Sequence, residues 1–547
     1  MKRMKKILGA AIGNCVHVAG LFHFLKLAES EGYVTCNLGP AVTIERLIKE
    51  IQREEPELIA ISYRLSPDVA QSLFESLKAE IQNAGLKNLK ILFGGTPPVC
   101  EVARASGLFL KVFDGTETQR EIGLYLRGGK LNHSRTPYPD TLLGRIQQKY
   151  PYPILRHHFG RPSMIETIKG AVAIAKSEVL DVLSIGPDQN AQEYFFHPEL
   201  MTKELEGAGG VPLRRSEDLE EIYLATRTGN YPLVRCYAGT QDLLKWAEMS
   251  VRTIHNAWAA IPLCWYSVID GRSKRTLVEA ISENQRVMRW YAERGIPVEV
   301  NEAHQWSLRD AHDSVAVAMA FLAAYNAKQA GVKNYVAQFM FNTPPGTSAS
   351  MDIAKMLAKI ELIEELEDTD FKMIREVRGG LAHFSAEPQI AKGQLAASAV
   401  ISLSLKPHIL HVVGFSEGDH ASLPEELIES CNIVHGVLRD VLHGFPELNS
   451  TPAIVRRKNE LKSEAMSILK AMESPAFGRS KDPWTDPEVI ARAIEKGLLD
   501  APHFKGNPYL NGNVITRAID GAWYASDYFT GEPINETKRI LNILNRI

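Results

Sequence analysis

Over the first 130 residues, short apolar runs alternate with longer amphipathic segments. The apolar runs are bounded by glycine or proline and have the length of buried strands, whereas the segments between them have the period of helices. The predicted strands are Lys6–Ile12, Tyr33–Leu38, Leu58–Ser62, Leu89–Phe93 and Lys111–Phe113. The predicted helices are Ala19–Gly32, Thr43–Glu55, Ser66–Gly85, Pro97–Gly107 and Glu117–Arg127. Strands that alternate with helices indicate an α/β domain over residues 1–130, built on a doubly wound parallel sheet.

A proline-rich stretch follows over residues 131–153, and its lack of periodicity predicts a semi-rigid linker. A second alternating pattern fills residues 154–455, and its predicted helices include Thr276–Arg294, Ser307–Ala330 and Ala349–Leu366. Its predicted strands include Val179–Ile185, Leu233–Tyr237, Leu263–Val268, Pro297–Val300, Tyr335–Phe341, Phe371–Glu376 and Ile409–Val413. About eight such repeats predict a (β/α)8 barrel of the TIM type, with a large open α/β sheet as the alternative. We expect residues 456–547 to form a C-terminal segment that packs on the barrel.

Composition limits the classes of partner. Hydrophobic residues make up 45% of the 547 residues and charged residues 23%, which is ordinary for a globular protein. The formal net charge of −3 gives no electrostatic basis for binding nucleic acid or an acidic membrane. We therefore expect a small-molecule substrate and no nucleic-acid or membrane partner.

The six cysteines are scattered and include no CxxC or CxxxCxxC spacing, which argues against a zinc ribbon, an iron–sulfur site and a disulfide framework. Such cysteine usage predicts a reducing, cytoplasmic location. The basic N-terminal residues precede an apolar run that resembles a signal peptide. Asn14, His17 and His23 interrupt that run, so we expect a buried first strand instead.

Small and polar residues follow the predicted strands of the N-terminal domain. In an open parallel sheet these positions meet at the carboxyl edge, where cofactors bind. A histidine there can ligate a metal through one ring nitrogen, and paired glycines let the backbone approach a large flat ligand. The residues concerned are Cys15, His17, Gly20, Ser62, Gly94, Gly95, Thr96, Gly115 and Thr116.

Together, Cys15-x-His17-x-x-Gly20, Ser62 and Gly94-Gly95 resemble the signature of the flavodoxin-like cobalamin-binding domain found in adenosylcobalamin mutases and methionine synthase. The resemblance implies that His17 is the lower ligand of cobalt and that the serine, the glycines and the threonines seat the nucleotide tail. Two positions depart from the pattern. Cys15 stands where the family has the aspartate that orients the histidine, and Arg64 stands where it has a leucine.

The second half of the chain resembles, distantly and in order, the barrel subunit of glutamate mutase (methylaspartate mutase). The matching segments are Tyr237–Thr240, Leu263–Ser267, Gly380–Phe384, Ser416–Glu425 and Gly497–Pro502. The resemblance implies an adenosylcobalamin-dependent radical mutase in which the cobalamin-binding domain is fused ahead of the barrel. It also implies that Glu417 holds the ribose of the adenosyl group.

The glutamate mutase family binds its dicarboxylate substrate with three arginines, and this chain departs from that set. Tyr237 occupies one arginine position, and Asp188–Tyr194 replaces a second motif. The remaining arginine corresponds to Arg156 or Arg161. We therefore expect a small polar acid other than glutamate as the substrate.

Residues that end predicted barrel strands are the candidates for catalysis, because barrel active sites lie at that end. These candidates are Tyr237, Tyr266, Asp270 and Arg272. Two alternatives to the mutase remain at this point: a corrinoid-dependent methyltransferase, and a non-catalytic corrinoid-binding protein. The sequence also leaves open whether one subunit or a homodimer makes the site.

Overall fold

The computed structural model describes residues 5–117, 119–126, 128, 138–237, 239–442, 444 and 447–546. The chain forms two compact units, Met1–Pro137 and Tyr138–Ile547. Of the predicted linker, residues 131–137 lie outside the described residues, as do Arg127 and Ala238. Among the described residues, no helix combines the length and the apolar character that a membrane crossing requires.

The N-terminal unit is built on a parallel sheet with the strand order β2-β1-β3-β4-β5. Its strands are β1 (Lys6–Ala11), β2 (Val34–Asn37), β3 (Leu58–Ser62), β4 (Ile91–Gly94) and β5 (Lys111–Phe113). Its helices are α1 (Ala19–Ser30), α2 (Ile44–Glu54), α3 (Pro67–Asn83), α4 (Pro97–Ser106) and α5 (Gln119–Leu126). This strand order reverses direction between β1 and β3, the switch point at which doubly wound sheets bind ligands. The predicted doubly wound parallel sheet is confirmed.

The helix starts of this unit follow from local chemistry. Thr43 caps α2 by accepting a hydrogen bond from the Arg46 amide at 3.2 Å, and Pro67 begins α3 where an N–H would have no partner. Apolar side chains on both faces of the sheet form separate clusters, one against α2, α3 and α4 and one against α1 and α5. The sheet is therefore covered on both sides, and its carboxyl edge is left open.

The C-terminal unit contains an eight-stranded parallel sheet and a C-terminal hairpin. The strands of the larger sheet are β6 (Ile154–Phe159), β7 (Val182–Ile185), β8 (Leu233–Cys236), β9 (Ala259–Ile261), β10 (Val298–Val300), β11 (Asn334–Phe341), β12 (Lys372–Gly379) and β13 (Ile409–His411). The helices that lead into and connect them are α6 (Leu142–Lys149), α7 (Met164–Ser177), α8 (Gln189–Tyr194), α9 (Ser216–Ala225), α10 (Leu243–Ile254), α11 (Leu277–Ala292), α12 (Ala303–Ser307), α13 (Asp313–Gln329), α14 (Ala349–Glu364) and α15 (Pro388–Leu403). The segment after β13 contains α16 (Pro424–Leu442), α17 (Pro452–Ala471), α18 (Pro487–Glu495), the hairpin β14 (Thr516–Ile519) and β15 (Ala522–Ala525), and α19 (Glu536–Leu544).

The eight strands curve into a nearly closed barrel. β13 pairs with β6, so the last strand joins the first. The two edges of the sheet, β8 and β9, also approach each other, because the Ala257 amide just before β9 donates to the Val234 carbonyl at 3.0 Å. The predicted (β/α)8 architecture is confirmed.

Two predictions within this unit were wrong. The predicted linker contains α6, because Arg145 is buried and donates to the carbonyls of Asn230 and Tyr231. The predicted strand Leu263–Val268 is a loop, and the actual strand β9 lies just before it. The apolar loop is buried without strand pairing because the Glu302 carboxylate accepts the amides of Leu263 and Cys264, at 2.9 and 3.1 Å.

A buried charge cluster ties the C-terminal segment to the barrel helices. The Asp313 carboxylate on α13 lies 3.2 Å from the Lys355 ammonium on α14 and 3.3 Å from the Arg457 guanidinium on α17. It also accepts the Trp523 amide of the hairpin at 3.0 Å. Burial alone would raise the pKa of Asp313, but Lys355 and Arg457 hold this pKa below its ordinary value.

We predict that Asp313→Asn lowers the free energy of unfolding of the C-terminal unit by about 2 kcal/mol near neutral pH, because Lys355 and Arg457 lose one charge-assisted contact each and keep only Asp352 and Glu460 as carboxylate partners. The wild-type contribution is present above the unfolded-state pKa of Asp313 and is lost as the pH falls through the lower folded-state pKa. The difference between the two proteins should therefore shrink in acid. Urea unfolding at several pH values measures it, with the exposed Asp370→Asn, 3.8 Å from Lys333, as the matched control. Equal stability of all three proteins would contradict the prediction.

Candidate functional site

A cavity of about 410 Å³ opens at the carboxyl edge of the N-terminal sheet. Its lining contains seven of the residues that the sequence singled out: His17, Gly20, Ser62, Gly94, Gly95, Thr96 and Gly115. They come from the carboxyl ends of four strands and from the segments that follow them, and the parallel order of the sheet brings these positions together. The cavity walls are otherwise mainly apolar, with Leu21, Phe24, Leu92 and Phe113 among them.

His17 lies in the loop between β1 and α1, and its side chain is exposed. Among the described residues, its ring has no hydrogen-bond partner. Cys15 does not line the cavity: its side chain is fully buried in the apolar cluster that packs against α2, α3 and α4. The Asn14 side-chain oxygen accepts a hydrogen bond from the Tyr63 hydroxyl at 3.3 Å. The ring of His17 is therefore free to turn toward a ligand, and Cys15 does not orient it.

Ser62 and Gly94 face the cavity at neighbouring strand ends, paired in register. The Ser62 Oγ atom is buried and has no hydrogen-bond partner in the described part of the chain, which is costly unless a ligand supplies one. A Cβ atom at Gly94 would meet nothing within 4 Å, so this glycine leaves open space. At Gly95, by contrast, a Cβ would lie 2.5 Å from the Tyr63 carbonyl, so the backbone itself requires glycine.

The loop after β5 is fixed by its own hydrogen bonds. The Thr116 hydroxyl donates to the Asp114 carboxylate at 2.6 Å, and this bond, with the Arg104 ion pair, lowers the pKa of Asp114 to about 2. Thr116 is thereby turned toward Asp114 and does not line the cavity. Gly115 does line it and has a φ of +92°, a conformation that glycine adopts readily.

The barrel of the C-terminal unit is filled by layers of inward side chains, two residues apart on each strand. The deepest layer is an apolar cluster that includes Ile154, Val182, Leu233, Val336, Ile374 and Ile409. The residues two positions further on form a polar layer, in which Gln338 is half-buried and the others are buried: Arg156, Ser184, Arg235, Glu376 and His411. The next inward positions are occupied by His158 on β6 and Arg378 on β12, and Tyr237 lies just after β8. These three residues lie at the mouth of the barrel.

Arg156 organises the polar layer. Its guanidinium makes an ion pair with Glu376, donates to Ser184 Oγ at 2.8 Å and lies 3.1 Å from His411 Nδ1. The other arginine of the layer, Arg235, lies 2.8 Å from the Glu299 carboxylate. Arg156 is therefore engaged by the protein itself, whereas Arg235 is fully buried and, among the described residues, its Nε and Nη2 atoms have no partner. Arg161 donates to the Ala421 carbonyl at 2.9 Å.

Tyr237 and His158 form a hydrogen-bonded pair at the mouth of the barrel, with stacked rings. Arg156 Nη2 lies 2.7 Å from the same His158 Nε2 atom, and because arginine is only a donor, this nitrogen accepts and the proton is on Nδ1. Burial and the charge of Arg156 hold the pKa of His158 well below its ordinary value, so the ring is neutral. The Tyr237 hydroxyl is thus held by a neutral imidazole.

Arg378 is a half-buried cation at this mouth. Its Nε atom donates to the Gly379 carbonyl at 3.1 Å, and among the described residues its two Nη atoms have no partner. Burial lowers the pKa of His304 to about 3, and Arg378 is the largest electrostatic contributor to that shift. Burial and Arg156 hold the pKa of His411 well below its ordinary value, and the charge of Arg378 lowers it further. Within the described residues, the mouth therefore presents one unpaired guanidinium, that of Arg378, beside neutral imidazoles.

The other predicted catalytic residues lie on the loop after β9. The Asp270 carboxylate accepts the amides of Tyr266 and Ser267, each at 3.2 Å, and so stabilises the turn. The Arg272 guanidinium lies 5.4 Å from the centre of the Tyr266 ring. Burial raises the pKa of Tyr266 to about 12, so its hydroxyl stays protonated. These three residues do not end a strand, as the sequence predicted, but form one connected turn.

Glu302 and Glu417 occupy two further loops of the barrel. Burial raises the pKa of Glu302 to about 6, and its carboxylate accepts hydrogen bonds from two loop amides and from the Trp306 indole. The Glu417 carboxylate accepts the Gly414 amide at 2.8 Å and lies 3.2 Å from His157 Nε2. Its predicted role at the ribose stays a prediction.

The family model described as "B12 binding domain" matches residues 5–122. A solved structure titled as a novel cobalamin-binding protein from Desulfitobacterium hafniense DCB-2 is 23% identical, over 23% of this chain and 59% of that one, with a TM-score of 0.21. Two structures of the cobalamin-dependent S-adenosylmethionine radical enzyme OxsB are 12% and 11% identical. These two alignments cover 80% of this chain and 56% of OxsB, with TM-scores of 0.17 and 0.18.

The chain thus spans little more than half the length of these solved structures. No curated protein sequence matches it significantly. The family match covers all the residues that line the cavity, from His17 to Ile122. Residues 5–122 are therefore similar to a B12 binding domain, and the cavity at the carboxyl edge of their sheet is the candidate cobalamin site.

Proposed function

We propose that this protein is an adenosylcobalamin-dependent mutase that rearranges the carbon skeleton of a small polar acid other than glutamate. The observation that carries the proposal is the cavity of the B12 binding domain, in which an exposed histidine, an unpartnered serine oxygen and open glycine positions face the same space. When bound, adenosylcobalamin supplies an organic radical by homolysis of its cobalt–carbon bond. The protein binds and orients the reactants and excludes water.

The residues of the cavity fit a corrinoid. His17 would ligate cobalt, and Ser62 Oγ would gain the hydrogen bond that the protein does not provide. Gly20, Gly94, Gly95, Thr96 and Gly115 would leave room for the nucleotide tail. Of the other predicted cofactor residues, Cys15 and Thr116 would act only through the shape of their loops, because neither lines the cavity. Glu417 would bind the adenosyl ribose.

The spacing of the cysteines favours adenosylcobalamin, rather than S-adenosylmethionine at an iron–sulfur centre, as the source of the radical. A radical iron–sulfur centre needs a close cluster of cysteine ligands. The six cysteines have no such spacing in the sequence, and those that the structure describes are all free, five of them buried. The radical would therefore come from the cobalamin itself.

At the mouth of the barrel, Arg378 would bind the carboxylate of the substrate. A guanidinium with two unpaired Nη groups matches the two oxygens of a carboxylate. The Tyr237 hydroxyl, held by neutral His158, would hydrogen-bond a second polar group of the substrate. Tyr266 would remain a protonated donor, and Asp270 and Arg272 would position it.

A dicarboxylate such as glutamate is a poor match for this arrangement. Arg156 and Arg235 are already paired with Glu376 and Glu299, and Tyr237 replaces an arginine of the resembling family. In the described part of the mouth, Arg378 provides one free guanidinium. A substrate with one carboxylate and a neutral or cationic polar group therefore fits better.

A corrinoid-dependent methyltransferase is the second candidate, together with a non-catalytic corrinoid-binding protein. The observation that favours them is the environment of His17. Because no described carboxylate holds its ring, the lower ligand would be less basic and less fixed than in the resembling mutases.

We predict that adenosylcobalamin with tritium on the adenosyl methylene carbon transfers label to one member of a panel of small amino and hydroxy acids in the presence of the full chain. Glutamate, included in the panel, should remain unlabelled. Scintillation counting of the separated acids measures the transfer. Loss of the methyl group from methylcobalamin, with no movement of tritium from the adenosyl form, would instead favour the methyltransferase.

We predict that Arg378→Met raises the KM for the labelled acid by about 10- to 100-fold, the effect of losing a charge-assisted hydrogen bond. The Kd for cobalamin should be unchanged, because Arg378 belongs to the barrel and not to the B12 binding domain. Arg375→Met on the same strand is the matched control, since Arg375 pairs outside the barrel with Glu364 at 2.6 Å. Equal KM values for the two variants would contradict the role given to Arg378.

A further inference from the structure

We propose that Arg64 binds the phosphodiester of the cobalamin nucleotide tail. This assignment rests on the proposed cobalamin site and adds to it a residue with a stated ligand group. Arg64 follows β3 by two residues and lines the cavity with Ser62. Tyr63, between them, is 1% exposed, and its hydroxyl is held by Asn14. The buried tyrosine therefore anchors the segment that presents Arg64.

The charges around the cavity leave Arg64 without a partner. Two carboxylates line the same space, Asp114 and Glu117. Asp114 is engaged by Arg104 and Thr116, and Glu117 accepts the Asp114 amide at 3.2 Å and lies 4.0 Å from the Lys111 ammonium. Arg64 is exposed, and within the described residues its guanidinium makes no hydrogen bond or ion pair. It is also the sole arginine or lysine of the described cavity lining.

The chemistry of the cofactor indicates what this cation would bind. The corrin ring carries neutral amide side chains, and the phosphodiester is the anionic group of the nucleotide tail. A planar guanidinium donates two parallel hydrogen bonds to phosphate oxygens, and it stays charged at any physiological pH. The cobalamin-binding domains that the sequence resembles have a leucine at this position, which makes no such bond.

Arg64 would therefore make the site selective for corrinoids that carry a phosphate. Part of the affinity for cobalamin would come from this ion pair, and this part would weaken as salt increases, because the residue is exposed. Corrinoids that lack the phosphate would bind without that contribution.

The test compares three corrinoids with the full chain by absorbance titration: cobalamin, cobinamide phosphate and cobinamide, which lacks the phosphate. For Arg64→Leu we expect a loss of affinity of about 10- to 100-fold for the first two ligands and no change for cobinamide. Arg64→Lys, which keeps the charge without the planar fork, should lose less than Arg64→Leu. Arg46→Leu removes a charge that is also exposed, from α2 and outside the cavity lining, and should bind all three ligands as the wild type does.

Two results would overturn the assignment. Unchanged affinity of Arg64→Leu for cobalamin would show that the phosphate has no contact with this residue. An equal loss for all three corrinoids would show that Arg64 acts on the corrin or on the shape of the site. Failure of the wild type to bind any of the three would reject the proposed function itself, which distinguishes that outcome from the other two.

Discussion

The chemistry of this protein depends on one constraint: parallel strands bring their carboxyl ends to the same edge of a sheet. In the N-terminal unit this edge gathers His17, Ser62, Gly94 and Gly115 around one cavity, although they are far apart in sequence. In the C-terminal unit the same constraint, with the two-residue alternation of each strand, stacks an apolar layer, a polar layer and a mouth layer inside the barrel. The direction of the strands therefore determines where both candidate sites lie, and the individual residues determine their chemistry.

The polar layer of the barrel determines how the mouth residues behave. Removing the charges of Arg156 and Glu376 from water is costly, and a buried ion pair adds little net stability. Its effect here is to position other groups: Arg156 fixes the tautomer of His158, and His158 in turn holds the Tyr237 hydroxyl. Since burial keeps the imidazoles neutral and Arg156 is paired with Glu376, Arg378 is the unpaired cation in the described part of the mouth. An anionic substrate would complete this arrangement.

Much of the fold could be predicted from the sequence, because buried strands and amphipathic helices leave a periodic signal. Leu58–Ser62 and Lys111–Phe113 were predicted with the bounds that the structure has. The loop Leu263–Val268 was wrongly predicted as a strand because its apolar run has the same signature. What prevents strand pairing is the distant Glu302 carboxylate, which satisfies the loop amides, and no local pattern reveals that contact.

The candidate site was predictable where the spacing of residues determines position, and less so where side-chain direction matters. Spacing singled out His17 and Ser62, which line the cavity. It did not show that Cys15 faces the core, because adjacent loop residues can point to either face. The sequence analysis missed His158 and Arg378 as mouth residues. The sequence signal for both residues is the alternation of inward and outward side chains along β6 and β12. This alternation can be assigned only when the bounds of these strands are known.

The central claim is that His17 is the lower ligand of cobalt in the bound cofactor. Electron paramagnetic resonance of the cob(II)alamin-loaded chain, with histidines labelled by nitrogen-15, tests it most directly. We expect the nitrogen superhyperfine splitting of the cobalt signal to change with the label in the wild type, and this change to be absent in His17→Ala. The change should be retained in His23→Ala, because His23 is an exposed residue of α1 that does not line the cavity. A splitting that is insensitive to the label and unaltered by His17→Ala would mean that the cofactor keeps its own base, and would contradict the account.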